Sequence, residues 1–180
     1  MDITKELEEN QAILLLVDGS DYNKTITDIA KSLAEKQLCY VTLNKTFKSL
    51  KEIFSKKKVK VENVVFVDAI SKTIKKTPDQ EKGCYYVSSP AAMTETALMI
   101  SKFLKHKFDY LVFDSLTNLL VYEKKAPVAR FVSSLVNKIK SSKTKAVFIA
   151  VKIESQSALI EEASMFVDKV IDIGEEEDGE

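Results

Sequence analysis

Short apolar runs alternate with stretches of helical periodicity along this chain, and no other feature restricts its fold as much. Ile13–Val17 is continuously apolar, as a strand covered on both faces must be. Ile26, Ile29, Ala30, Leu33 and Ala34 follow at i, i+3, i+4, i+7 and i+8, which is one face of a helix. The pattern then repeats. Strands are expected at Cys39–Leu43, Val64–Val67, Tyr85–Val87, Tyr110–Phe113, Ala146–Val151 and Lys169–Ile173. Helices are expected around Phe47–Phe54, after Ser89-Pro90, after Pro127 and over 156–166. At Ser89-Pro90 the reading is a hydroxyl N-cap followed by proline in the first turn. Residues 71–83, polar and holding Pro78 and Gly83, read as a loop or a short excursion. Strands separated by helices are βαβ units, so the expectation is an α/β fold with a mainly parallel sheet between two helical layers.

Charge and composition narrow the function classes. The chain has 180 residues, enough for one domain with a real core. No apolar run approaches the ~20 residues of a membrane span, and the opening MDITKELEEN does not resemble a secretory signal. Cys39 and Cys84 stand alone and the single histidine is His106, which leaves no zinc spacing. A reduced, cytoplasmic setting is the simple expectation. Residues 1–11 read as an N-terminal segment, 12–174 as the domain, and 175–180 (EEEDGE) as a disordered acidic tail. Ten lysines between Lys45 and Lys76 face only Glu52, Glu62 and Asp68. A nucleic-acid footprint is one reading of that run. With Arg130 the lone arginine, and with Phe47 and Phe54 on the apolar side of their helix, a solvated face is the preferred one.

Two motifs carry chemistry. In "LLLVDGSDYNKT", a strand leads through a turn to Lys24-Thr25 at the head of a helix. That is the layout of a phosphate-binding loop, in which glycine-rich backbone wraps the phosphates, lysine reaches them and threonine holds Mg²⁺. Here Asp18 and Asn23 occupy the two glycine positions, and Gly19 is one place late. A carboxylate ~4 Å from a phosphate oxygen repels it by roughly 4 kcal/mol at an effective dielectric of 20. The alternative is a plain turn in which Asp18 and Asp21 pair with Lys24. In "FDYLVFDSLTNLL", an apolar strand delivers Asp114 and then Ser115 at its C-terminal end, where α/β folds place ligands. Thr25 and Asp114 are the Mg²⁺ contacts if Mg-nucleotide binds. Lys152 and Glu154 follow another strand to the same edge.

From about residue 12 to 173 the chain resembles the RecA/KaiC-like P-loop ATPases, especially reduced archaeal KaiC-like members. The stretches that carry the likeness are "LLLVDGSDYNKT", "CYVTLNKTFKSLKEIF", "VFDSLTNLL" and "SMFVDKVIDI". The resemblance implies a three-layer α/β/α RecA-like P-loop NTPase fold. It implies nucleotide contacts at Asp18, Gly19, Asn23, Lys24, Thr25, Asp114 and Ser115, with ATP and Mg as the possible cofactor. It also implies ring-like homo-oligomers, for which Arg130 is the one candidate arginine finger. The departure lies after the second strand, where such enzymes carry a glutamate pair. Asn44 and Lys45 stand there, and neither is a carboxylate base. The preferred expectation is therefore a degenerate, non-hydrolysing domain with no catalytic residue, no resident cofactor and an unknown protein partner. A weak ATP binder using Lys24, Thr25 and Asp114 is the alternative, and a nucleic-acid-binding module the second.

Overall fold

The computed structural model describes residues 1–174; the acidic tail lies outside them. Eight strands form one sheet: β1 (Ala12–Val17), β2 (Leu38–Thr42), β3 (Val64–Asp68), β4 (Gln80–Glu81), β5 (Cys84–Tyr86), β6 (Tyr110–Asp114), β7 (Lys145–Val151) and β8 (Lys169–Ile173). Their order is β4-β5-β3-β2-β6-β7-β1-β8. Every pairing is parallel except the β4–β5 hairpin at one edge. The mainly parallel α/β/α architecture expected from the periodicity is the one observed.

Both faces are covered. On one lie α1 (Ile3–Glu9), α2 (Tyr22–Leu33) and α3 (Phe47–Lys56). They pack Leu7, Ile26, Leu33, Leu50 and Phe54 against Ile13, Leu15, Tyr40, Phe66 and Val112. On the other lie α5 (Met93–Lys105), α6 (Leu116–Tyr122), α7 (Lys125–Lys140) and α8 (Ser157–Ser164). These pack Ile100, Leu119, Val132, Leu135 and Leu159 against Leu14, Val41, Phe113 and Phe148. Odd and even strand residues divide cleanly between the two cores, as the two-residue pleat requires. The short α4 (Ser71–Ile74) follows β3.

Several local expectations change. The segment before residue 12 contains α1, capped by Asp2, whose side chain accepts from the Thr4 and Lys5 amides. Ile3 and Leu7 bury it in the core it shares with α2 and α3. Residues 71–83 hold α4 and β4 as well as loop. The helix after Ser89-Pro90 starts three residues later, at Met93. A turn closed by the Ala92 N–H donating to Ser89 O comes first, and Glu95 accepts from the Ser88 amide and hydroxyl. Ser89 is therefore not the cap. Helix α6, which buries Leu116, Thr117 and Leu119, is an element the periodicity did not mark. His106 caps the C-terminal end of α5 and is exposed.

Candidate functional site

The C-terminal ends of β1, β2, β6 and β7 meet at the edge where ligands sit in open α/β sheets. The first finding concerns the loop after β1. Helix α2 begins at Tyr22 with Asp21 as its N-cap, two residues ahead of Lys24. Residues 18–21 close a tight turn, in which the Asp21 N–H donates to Asp18 O at 3.0 Å. The Thr25 N–H is already in the helical ladder, donating to Asp21 O at 2.9 Å. Gly19 is outside the left-handed region, and a Cβ added there would meet nothing within 4 Å. A glycine that cradles phosphate is there because a side chain would block the backbone's approach; Gly19 does not meet that test.

The second finding concerns Tyr22, which sequence reasoning passed over. Its ring is buried on the inner side of α2. Its hydroxyl lies 2.8 and 2.6 Å from the two carboxylate oxygens of Asp114. Tyr40, on β2, donates to Oδ2 of the same carboxylate at 2.7 Å. The placement follows from register. Tyr40 pairs with Val112 and Thr42 with Asp114, so Tyr40 and Asp114 share a face and meet diagonally. Asn44 faces the Tyr22 hydroxyl, and the Lys45 ammonium stands 5.7 Å from the Tyr22 ring centre. Asn44 and Lys45 thus cover a tyrosine.

Electrostatics follow from burial. Asp114 is completely buried. Loss of hydration pushes its pKa up to about 6, while the hydroxyls of Tyr22 and Tyr40 and the charge of Lys45 oppose the rise. Burial, and then the neighbouring carboxylate, hold both tyrosines well above the ordinary phenol range. They remain protonated donors.

The remaining sequence-selected residues disperse. Lys24 and Thr25 border a groove between α1, α2 and β8, and Asp114 does not line it. Asn23 is exposed at the head of α2. Asp18 pairs with Lys152 at 3.2 Å rather than with Lys24, and Lys152 also reaches Asp172 at 2.7 Å. Ser115 is buried against the Thr117 hydroxyl at 3.1 Å. Arg130 is exposed on α7, on the sheet face opposite Tyr22. Among the described residues no group of three or more His, Cys, Asp or Glu is arranged to hold a metal. Among them, too, no helix is long and apolar enough to cross a membrane. Tyr22 and Tyr40 could have been found only by treating their hydroxyls as partners for a buried Asp114, which requires the register.

Comparison with solved structures places the architecture. KaiC-like protein PH0186 from Pyrococcus horikoshii superposes with a TM-score of 0.63 at 14% identity, over 94% of this chain and 74% of that one. The fold is KaiC-like. An uncharacterized protein, PH0321, also from Pyrococcus horikoshii and solved with an unknown peptide, superposes with a TM-score of 0.69 at 13% identity. It covers 93% of this chain and 82% of its own. No protein-family model matches the chain, and no curated protein matches it. The KaiC-like fold thus stands on shape, and the RecA-like expectation from the sequence agrees with it.

Proposed function

We propose that this KaiC-like domain does not hydrolyse ATP and serves as a regulatory or assembly module that works through protein contacts. The observation that carries the reading is the Tyr22 hydroxyl on the Asp114 carboxylate. A Walker-type aspartate must offer an oxygen to a hydrated metal ion. Here both oxygens already accept from phenols, and the ring that delivers one of them stands between α2 and the sheet. A hydrated metal ion would have to displace these phenols to reach the carboxylate. The absence of a carboxylate at Asn44 and Lys45 supports the same reading, since no base is present to activate water. The peptide bound in the PH0321 structure supports a protein-contact role for this fold.

Calorimetric titration with Mg·ATP tests it. No saturable heat is expected up to about millimolar nucleotide, and steady-state turnover should equal buffer. A low-micromolar Kd, or turnover abolished by Lys24→Ala, would establish the domain as a nucleotide binder instead.

A further inference from the structure

The sequence directs attention to the lysines of 45–76, but the structure assembles a second group of cations around a groove elsewhere. On the face opposite Tyr22, α7 packs between α5 and α8 and leaves a long groove. Lys105, Lys107, Arg130, Lys138 and Lys143 line it. These are spread over 39 residues of sequence from 105 to 143 and converge only through the packing of α5 on α7. Among the described residues none of the five forms an ion pair. Glu162 is the one acid in the lining, and it faces Lys125 at 3.5 Å. In the sequence's lysine run Lys56, Lys60 and Lys72 are held by carboxylates, and among the described residues no apolar floor is lined by the others.

The floor differs in kind from the rim. Leu104, Ala129 and Phe166 form it, with Ala126 and Ser133 along α7. Small residues recur on that side of α7, so another backbone can approach closely. Helix α7 is 16 residues long, about 24 Å at 1.5 Å per residue. Furrows between packed helices accept a further helix, ridges into grooves. A nucleic-acid backbone would satisfy the cations and leave the apolar floor uncovered. Phe166 is half-buried and is the only aromatic in the lining, so no platform for stacked bases is present.

We infer that the groove between α5, α7 and α8 docks an acidic amphipathic helix of a protein partner, its apolar stripe on Leu104, Ala129 and Phe166 and its carboxylates on Arg130 and the four lysines. This deepens the protein-contact reading above but rests on the opposite face of the sheet, so nucleotide binding at Tyr22 would leave it standing.

The probe is a synthetic peptide of about 16 residues with leucines at i, i+3, i+4 and i+7 and glutamates on the flanks. Its affinity is measured by fluorescence anisotropy at about 150 mM salt, against a scrambled peptide of the same composition. Saturable binding is expected, at least tenfold tighter than the scrambled control. Arg130→Glu with Lys138→Glu should weaken it at least tenfold, and so should Lys105→Glu with Lys143→Glu. All four positions are exposed, and circular dichroism checks that the variants fold. Lys57→Glu with Lys58→Glu should leave affinity unchanged. The inference is overturned if the peptide does not bind, if the scrambled peptide binds equally, or if the groove reversals have no effect. It is also overturned if single-stranded or duplex DNA binds more tightly than the peptide through the same residues.

Discussion

Asp68 and Asp114 end the two strands that flank β2, and Thr42 is the register partner of both. Both are fully buried. Their surroundings differ in origin. Asp68 accepts from the amides of Phe47, Ile70 and Ser71 at 2.7, 2.7 and 2.8 Å, and from the Ser71 hydroxyl at 2.6 Å. Two of those amides belong to the turn that immediately follows it, and the third opens α3. The Asp114 carboxylate, among the described residues, accepts only from tyrosine hydroxyls, carried by α2 and β2. One carboxylate is built into the backbone. The other is held by side chains that can rotate or be exchanged. A carboxylate of the first kind organises a turn. One of the second kind sits where a ligand site would be and is occupied from within the protein.

The comparison breaks first at Asp68. Asp68→Ala strands three buried amides, and a loss of about 3 kcal/mol or more is expected in chemical denaturation. If that variant does not fold, Asp68→Asn should still lose over about 1 kcal/mol, because its NH₂ faces donors. A loss within experimental error for both would dissolve the distinction.

At Asp114 the expected sign is opposite and depends on pH. Its folded pKa is raised from 3.8 to about 6. The folded protein therefore holds this proton more tightly than the unfolded chain does. The associated stability is complete below about pH 4 and is lost as pH rises through about 6, by up to roughly 3 kcal/mol. Asp114→Asn removes the titration. Its stability relative to wild type should be higher at pH 7 than at pH 4, and denaturation curves at the two values measure this. A difference that does not move with pH refutes the buried-charge account.

Tyr22→Phe should cost about 1–2 kcal/mol at pH 7 by removing one donor from an ionised carboxylate. It should also move the Asp114 transition upward, since that hydrogen bond opposes the rise. A double-mutant cycle with Asp114→Asn should show coupling between the two residues. The smallest effect belongs to the loop. Gly19→Ala should change stability by less than about 0.5 kcal/mol, because its Cβ meets open space. Gly174→Ala should be clearly worse, because φ there is +128° and the Cβ would fall 2.5 Å from Asp18 Oδ2. Thermal melts of the two variants decide between them.

The layered fold was legible because β1, α2, β6 and α7 each carry their burial in their own periodicity. Element ends were less legible. Helix α2 starts at Tyr22, after the turn closed by Asp21 on Asp18, and its first side chain meets a buried carboxylate on β6, a fact invisible in a window of neighbours. Helix α5 starts late because a turn uses the Ala92 amide that Ser89 was expected to cap, while Glu95 holds Ser88. Asp18 illustrates the same limit: its partner, Lys152, is more than a hundred residues away.

The apolar spacing by itself determined a parallel α/β sheet with two covered faces, the order of its strands along the chain, and the arrival of Asp114 at the C-terminal edge. These follow from the two- and 3.6-residue periods, which are local properties. Tertiary structure alone decided that Tyr22 and Tyr40 close over Asp114, that Lys24 and Thr25 turn toward α1 and β8, and that five cations from 105 to 143 line one groove. Those juxtapositions depend on register and helix packing across distant segments. Hydrogen-bond and charge complementarity act through space, and the linear pattern does not record which segments the fold will bring together.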